Sequence, residues 1–216
     1  MRIGALMAQL SSGMLTSVQI FVLTLLGSLP LGLLVTLGRM SKNGIVRNLS
    51  RVYISVLRGT PLMLQVMVVF FGPYYLFGIS IGSSYRFKAV IIAFVLNYAA
   101  YFAEIYRAGI EAVAHGQYEA ASVLGYSKSQ TFMRIVLPQM VRHVLPPVTN
   151  EMITLIKDTS LAFAIAVTEM FTVAKEIASA QTSMVPYFAA AIFYYVFNLI
   201  VAAGMERVEK KLAYYH

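Results

Sequence analysis

Five apolar runs divide the chain, at residues 18–37, 61–77, 89–111, 144–167 and 187–203. Each has the length of a membrane-crossing helix, for which about 17–25 residues suffice. The first run holds Gly27, Pro30 and Gly32, which membrane helices tolerate because neighbours satisfy freed backbone groups. The fourth is interrupted by Lys157-Asp158-Thr159-Ser160. Between the runs, residues 1–17 read as a short interfacial lead and 39–58 as a loop. Residues 78–88 read as a Gly/Ser-rich turn, and 168–186 as a polar stretch with a short surface helix. The pattern predicts an all-α integral membrane protein: one transmembrane domain over residues 1–216 with five transmembrane helices. A 20-residue first run followed by Gly38-Arg39-Met40-Ser41-Lys42 reads as a span with a basic flank, not as a signal peptide with a cleavage site.

Within a central loop region at 112–142, Glu119 to Pro138 is the longest polar-to-mixed stretch. It reads as a helix, a break and a second helix. Gly125 supplies a left-handed cap. Ser127 is an N-cap candidate with Gln130 at capping-box spacing. Phe132, Ile135 and Val136 form an apolar stripe, and Pro138 marks a stop or kink.

Composition supports the bilayer. The chain is 59% hydrophobic and 12% charged, against about 25% charged in soluble domains. A net charge of +8 raises nucleic acid as a partner, but the basic residues sit between apolar runs. Arg39, Lys42, Arg47, Arg51 and Arg58 fall in one intervening segment, with Arg107, Lys128, Arg134 and Arg142 around the central one. Arg207, Lys210 and Lys211 fall in the tail, so these loops hold twelve of the 17 Lys and Arg. Arg2, Arg86, Lys88 and Lys175 lie on the other side, and Lys157 lies inside a span. The basic side is expected to be cytoplasmic, with the N-terminus outside and the C-terminus inside. There are no cysteines, which removes disulfide and thiol chemistry.

Catalytic motifs are missing. No Gly is followed by Lys, so there is no G-x-x-x-x-G-K-[ST] nucleotide cradle, and H-E-x-x-H is absent. His115, His143 and His216 are scattered, and no metal site is expected. The informative residues are polar groups inside the runs, since intramembrane charge is costly and faces a cavity or a partner. Asn97, Tyr101 and Glu104 share one helical face. Glu151, Thr154 and Asp158 share another, and an unwound helix at Asp158, Thr159 and Ser160 would line a cavity. Glu104 and Arg107 stand at i, i+3, which equally describes a structural ion pair. Glu151 reads as structural. No intramembrane Arg is firmly placed to complement an acidic ligand.

Glu119-Ala120-Ala121, then three residues, Gly125, then nine residues and Ile135-x-Leu137-Pro138 resembles the EAA loop of permease subunits of ATP-binding-cassette importers. Arg58-Gly59-Thr60-Pro61-Leu62, Ala103-Glu104-x-x-Arg107-x-Gly109-Ile110 and Lys157-Asp158-Thr159-Ser160-Leu161 resemble motifs of the polar amino acid uptake permeases. The resemblance covers most of residues 55–165 and implies a bacterial cell membrane location. It also implies a cytoplasmic coupling helix in which Glu119, Ala120, Ala121 and Gly125 meet the ATPase. The implied partners are ATPase subunits that bind the ATP, a second permease copy or paralogue, and an extracytoplasmic amino-acid-binding protein. On this reading the chain binds no cofactor, touches membrane lipid and an amino acid substrate, and is not an enzyme. Asn97, Tyr101, Glu104, Asp158, Thr159 and Ser160 are the candidate substrate ligands. Two acids along the cavity favour arginine, lysine or histidine, with glutamine or another polar amino acid as the alternative. A gradient-driven secondary transporter, with Asp158 and Glu104 as ion sites, and a non-transporting scaffold are the other classes.

Overall fold

The computed structural model describes residues 3–212 and contains no β-strand among them. Arg2 and His216 lie outside the described residues. The helices are α1 (Ile3–Arg39), α2 (Gly44–Gly59), α3 (Leu62–Phe77), α4 (Ser84–Glu111), α5 (His115–Val123) and α6 (Lys128–Thr131). A π-turn (Phe132–Val136) leads into α7 (Leu137–Asp158), and a 3-10 segment (Thr159–Ile165) precedes α8 (Met170–Gln181) and α9 (Val185–Leu212).

The lead expected at residues 1–17 is not a separate interfacial element. It is the first half of α1, which runs 37 residues without a break. Small residues lock it in place: a Cβ on Gly13 would lie 2.8 Å from Met170 Cα in α8. Further along, a Cβ on Gly32 would lie 2.9 Å from Phe102 Cβ in α4. Thr36 Oγ1 donates to Ala103 O at 3.0 Å and to its own helix at Gly32 O. Close approach through small residues with an interhelical hydroxyl bond is how membrane helices pack without a hydrophobic driving force.

Residues 39–58 are not a loop. After a turn at 40–43, Asn43 caps α2 by accepting from Ile45 N and Val46 N. Ile45, Leu49, Val52 and Val56 then follow one helical face and Arg47, Arg51 and Arg58 another. That 3.6-residue period was hidden because basic residues were read as loop markers. Pro61 ends α2, because the residue before proline is pushed out of the α region, and Thr60 is extended at ψ 147. Helix α3 leaves at 109° to α2.

By length and hydropathy α1, α4 and α9 can each cross a membrane, and the bent α2–α3 pair makes a fourth if it is one span. Five were expected. The run 144–167 is divided: α7 stops at Asp158 and the backbone tightens into 3-10 turns at Thr159, where the polar interruption stands. Ala166 closes those turns in the left-handed region at φ 56. The polar stretch 168–186 does carry a helix, α8, but its Met170, Ala174, Ile177 and Ala178 are buried rather than laid on the surface.

The centre of the packing is α4, whose Phe94, Tyr98 and Phe102 are fully enclosed. It packs against α1, α2, α3 and α7. Its contact with α7 is close at Gly109, where a Cβ would sit 2.3 Å from Val144 Cγ1.

Candidate functional site

Two adjoining cavities lie where α4 faces α7 and the α2–α3 break. One, about 360 Å³, is bounded by Thr60, Pro61 and Leu62 at the break, Asn97, Tyr98 and Tyr101 on α4, and Glu151, Thr154 and Asp158 on α7. The other, about 490 Å³, includes Arg58, Tyr101, Glu104, Arg107, His143 and Glu151 in its wall. Tyr101 and Glu151 line both. The helical spacing explains the meeting: Asn97, Tyr101 and Glu104 recur on one face of α4, and Glu151, Thr154 and Asp158 on one face of α7.

The candidate residues have different commitments. The Asp158 carboxylate accepts the Tyr98 hydroxyl at 2.7 Å and borders the smaller cavity. Asn97 borders it too, but its amide donates to Leu57 O and to Gln65 Oε1, each at 3.0 Å. Gln65 in turn donates to Leu57 O and to the Thr60 carbonyl and hydroxyl. Asn97 and Gln65 therefore satisfy the carbonyls freed where α2 ends. Glu104 lines the larger cavity with its charge already answered. It receives Arg107 Nη2 at 2.6 Å and Nε at 3.0 Å, and Arg39 Nε lies 3.9 Å away. Arg107 also pairs with Glu111. Thr159 is buried and donates to Ile156 O, and Ser160 donates to Lys157 O, both at 2.8 Å. Their hydroxyl protons are taken by carbonyls three residues back, and neither residue belongs to the wall of either cavity.

Three residues with weaker sequence signals join the site. Glu151, read from sequence as structural, makes no hydrogen bond or ion pair among the described residues and faces both cavities. Its signal was the seven-residue step to Asp158. Arg58 sits with its guanidinium carbon 5.1 Å from the Tyr101 ring centroid, in cation–π range. Arg58 lines the larger cavity together with Arg107, and of the two it is the one without an ion pair to an acid among the described residues. Tyr98, adjacent to Asn97 but on a different face of α4, carried no signal.

The segment 112–142 folds around the turn chemistry expected of it. Gly125 is left-handed at φ 75, Gly125 N donates to Ser122 O, and Tyr126 N donates to Ala121 O. Ser127 and Gln130 form the capping box. Pro138 does not stop the second helix. It stands at the start of α7, where a missing N–H costs little. The π-turn before it shifts the register, with Leu137 N donating to Phe132 O. Glu119 is exposed and bonded to His115 at 3.1 Å. Ala121 faces inward and Ala120 outward. Val123 and Leu124 are strongly exposed.

Residues 28–214 match the family model described as the binding-protein-dependent transport system inner membrane component. The chain belongs to this family. It is an inner-membrane, multi-pass, non-enzymatic permease of an amino acid ABC importer, a class that works with ATPase and substrate-binding partners. It is 37% identical over 208 residues to the L-cystine transport system permease of Bacillus subtilis (strain 168), covering 95% of this chain and 87% of that one. It is 35% identical over 202 residues to a putative glutamine transport system permease of Rickettsia bellii (strain RML369-C), covering 93% and 91%. The crystal structure of an amino acid ABC transporter with histidines superposes with a TM-score of 0.86 at 30% identity, covering 95% of this chain and 94% of that one.

Proposed function

We propose that this permease carries a polar amino acid through the joined cavities and that basic amino acids fit them best. The supporting observation is the charge left over once internal pairs are removed. Glu104 is bound to Arg107 and approached by Arg39. Two carboxylates, Asp158 and Glu151, then face the cavities with one guanidinium, Arg58. Arginine or lysine presents the complement, two cationic groups and one carboxylate. In this reading the α-carboxylate meets Arg58, and the two cationic groups meet Asp158 and Glu151. The second reading is glutamine or another uncharged polar amino acid, favoured by the cystine and glutamine systems among the similar permeases.

The wider reading has five spans: α1, the α2–α3 pair, α4, α7 with its 3-10 extension, and α9. The N-terminus is outside and the C-terminus inside. Helix α5 is the coupling helix, with Glu119, Ala120 and Gly125 toward the ATPase. A second permease, a copy or paralogue, completes the pathway, ATP is bound by the ATPase, and a binding protein delivers the substrate.

The test is uptake competition in the reconstituted complex among arginine, lysine, histidine, glutamine and glutamate, alongside Glu151→Gln and Asp158→Asn. A bond to a charged group is worth about 1.5–3 kcal/mol. Glu151→Gln should therefore lower arginine uptake relative to glutamine by about tenfold or more. If glutamate competes best, or both variants move arginine at the unmodified rate, the charge reading is wrong.

A further inference from the structure

Helix α2 carries three arginines on one face, and the last of them, Arg58, stands at a depth where lipid cannot take it. The depth of the helix follows from its partners. Tyr53 donates to Leu96 O at 2.6 Å, and Asn97 donates to Leu57 O at 3.0 Å. Ile54 is buried with Ala100 and Ala103. These α4 residues lie in the middle of a 28-residue helix apolar enough to span. The C-terminal half of α2 is therefore level with the interior of a span. At about 100° per residue, Arg47, Arg51 and Arg58 fall within about 40° of one another, and at 1.5 Å per residue the row extends about 16 Å.

The rest of α2 divides cleanly. Ile54, Tyr53 and Leu57 pack inward. Ile45, Leu49, Val52 and Val56 are all more than half exposed and form a purely apolar stripe about 180° from the arginines. That stripe suits hydrocarbon. The arginine face does not, because a charge at the bilayer centre costs about 2.5–3.5 kcal/mol and turns to a cavity or water. Arg58 already does so, as part of the wall of the larger cavity. Arg51 is exposed and has no ion pair among the described residues, and Arg47 donates to Ser41 O. No acid stands on α2 itself, and Glu104 and Glu151 face Arg58 from α4 and α7 across the larger cavity.

Resting on the importer reading, we propose that Arg58, Arg51 and Arg47 form a cationic track along which the substrate carboxylate passes from the central cavity to the cytoplasmic exit. The group recognised is a carboxylate, common to all amino acids. The track serves release and leaves side-chain selection to the cavity. Each guanidinium offers a forked donor matched to a carboxylate. The spacing of one to two turns lets the ligand transfer without full hydration between stops.

The cysteine-free chain allows a direct test in vesicles holding the complete complex. Arg47→Cys, Arg51→Cys, Leu49→Cys and Val52→Cys are treated from the cytoplasmic side with small anionic and cationic water-soluble thiol reagents. Positions 47 and 51 should react and 49 and 52 should not. The anionic reagent should react several-fold faster, and that preference should shrink when another arginine of the row becomes glutamine. Arg51→Gln should slow ATP-driven uptake several-fold, with Arg51→Lys restoring part of the rate. Reaction at 49 and 52 in place of 47 and 51, or no preference for the anion, overturns the track. If the preference and the Arg51→Gln defect both vanish in vesicles of zwitterionic lipid, the row serves anionic headgroups and the proposal is wrong. Failure of the unsubstituted complex to take up amino acid with ATP defeats the importer reading instead, and the labelling pattern still judges the track.

Discussion

Replacing Glu169 with alanine removes a carboxylate that joins three helices. Glu169 is wholly enclosed. It accepts Phe171 N at 2.7 Å, Thr172 N at 2.8 Å, Thr172 Oγ1 at 2.9 Å and the Tyr194 hydroxyl of α9 at 3.1 Å. Ser17 of α1 lies 3.5 Å from the same group and accepts Met170 N. The Thr172 hydroxyl also donates to Val167 O, so alanine leaves it a partner. The α8 amides lose their acceptor, and the Tyr194 hydroxyl keeps only the neighbouring Thr159 and Ser17 hydroxyls. Loss of a buried N-cap costs up to about 2 kcal/mol, and loss of a buried hydroxyl's charged partner about 1–3 kcal/mol. The expected loss is therefore about 1.5–5 kcal/mol. Tyr194→Phe deletes one donor and leaves the cap intact, for about 1 kcal/mol. Glu169→Gln keeps one acceptor oxygen and should fall between. The assay is thermal unfolding of the purified complex, followed by loss of the monodisperse permease peak after heating. The reasoning fails if Glu169→Ala unfolds no earlier than Tyr194→Phe.

Two further outcomes follow from single residues. Gly109→Ala forces a Cβ against Val144, an overpacking of about 1–3 kcal/mol. Its melting point should fall, and Val144→Ala in the same chain should recover part of the loss; equal losses in single and double variants would contradict a direct clash. Gly125→Val strains a left-handed residue by about 1–2 kcal/mol, and Glu119→Lys reverses charge on α5. Both should abolish ATP-driven uptake while the protein still inserts, and normal substrate-stimulated ATPase activity with normal uptake in both would remove α5 from coupling.

The parts of the fold that were legible in the sequence are those governed by local rules. Gly125, Ser127 and Gln130 act over three or four residues, so their turn and capping box could be read directly. The break at Asp158 was legible because polar residues interrupt an apolar run. Helix α2 was missed because arginines at helical spacing look like loop charge until another helix at span depth is set beside them. Pro138 was expected to mark a stop or a kink, and it does not stop the helix because a π-turn in the backbone before it absorbs the change of register. Ala166 in the left-handed region and the enclosure of Glu169 depend on packing among α1, α8 and α9, which no local pattern encodes.

The candidate acids separate by the same physics. Glu104, Asp158 and Glu151 look alike in sequence, as carboxylates within apolar runs. Glu104 lies one turn from Arg107 and 3.9 Å from Arg39 at the end of α1, so its charge is met within the protein. Asp158 stands at the change from α-helix to 3-10 turns, opposite the Thr60–Pro61 break in another helix. The α2 carbonyls at that break are held by Gln65 and Asn97, whereas no side chain caps the start of α3. Non-helical backbone at the depth of a span is tolerated where it is buried in protein or lines a cavity, and the two facing breaks border the smaller cavity. Glu151 makes no hydrogen bond or ion pair among the described residues, and the Arg58 guanidinium lies in the same cavity wall. In the proposed reading, Glu104, held by Arg107 and approached by Arg39, joins helices, and Asp158 and Glu151 are the acids left to meet the cationic groups of the substrate.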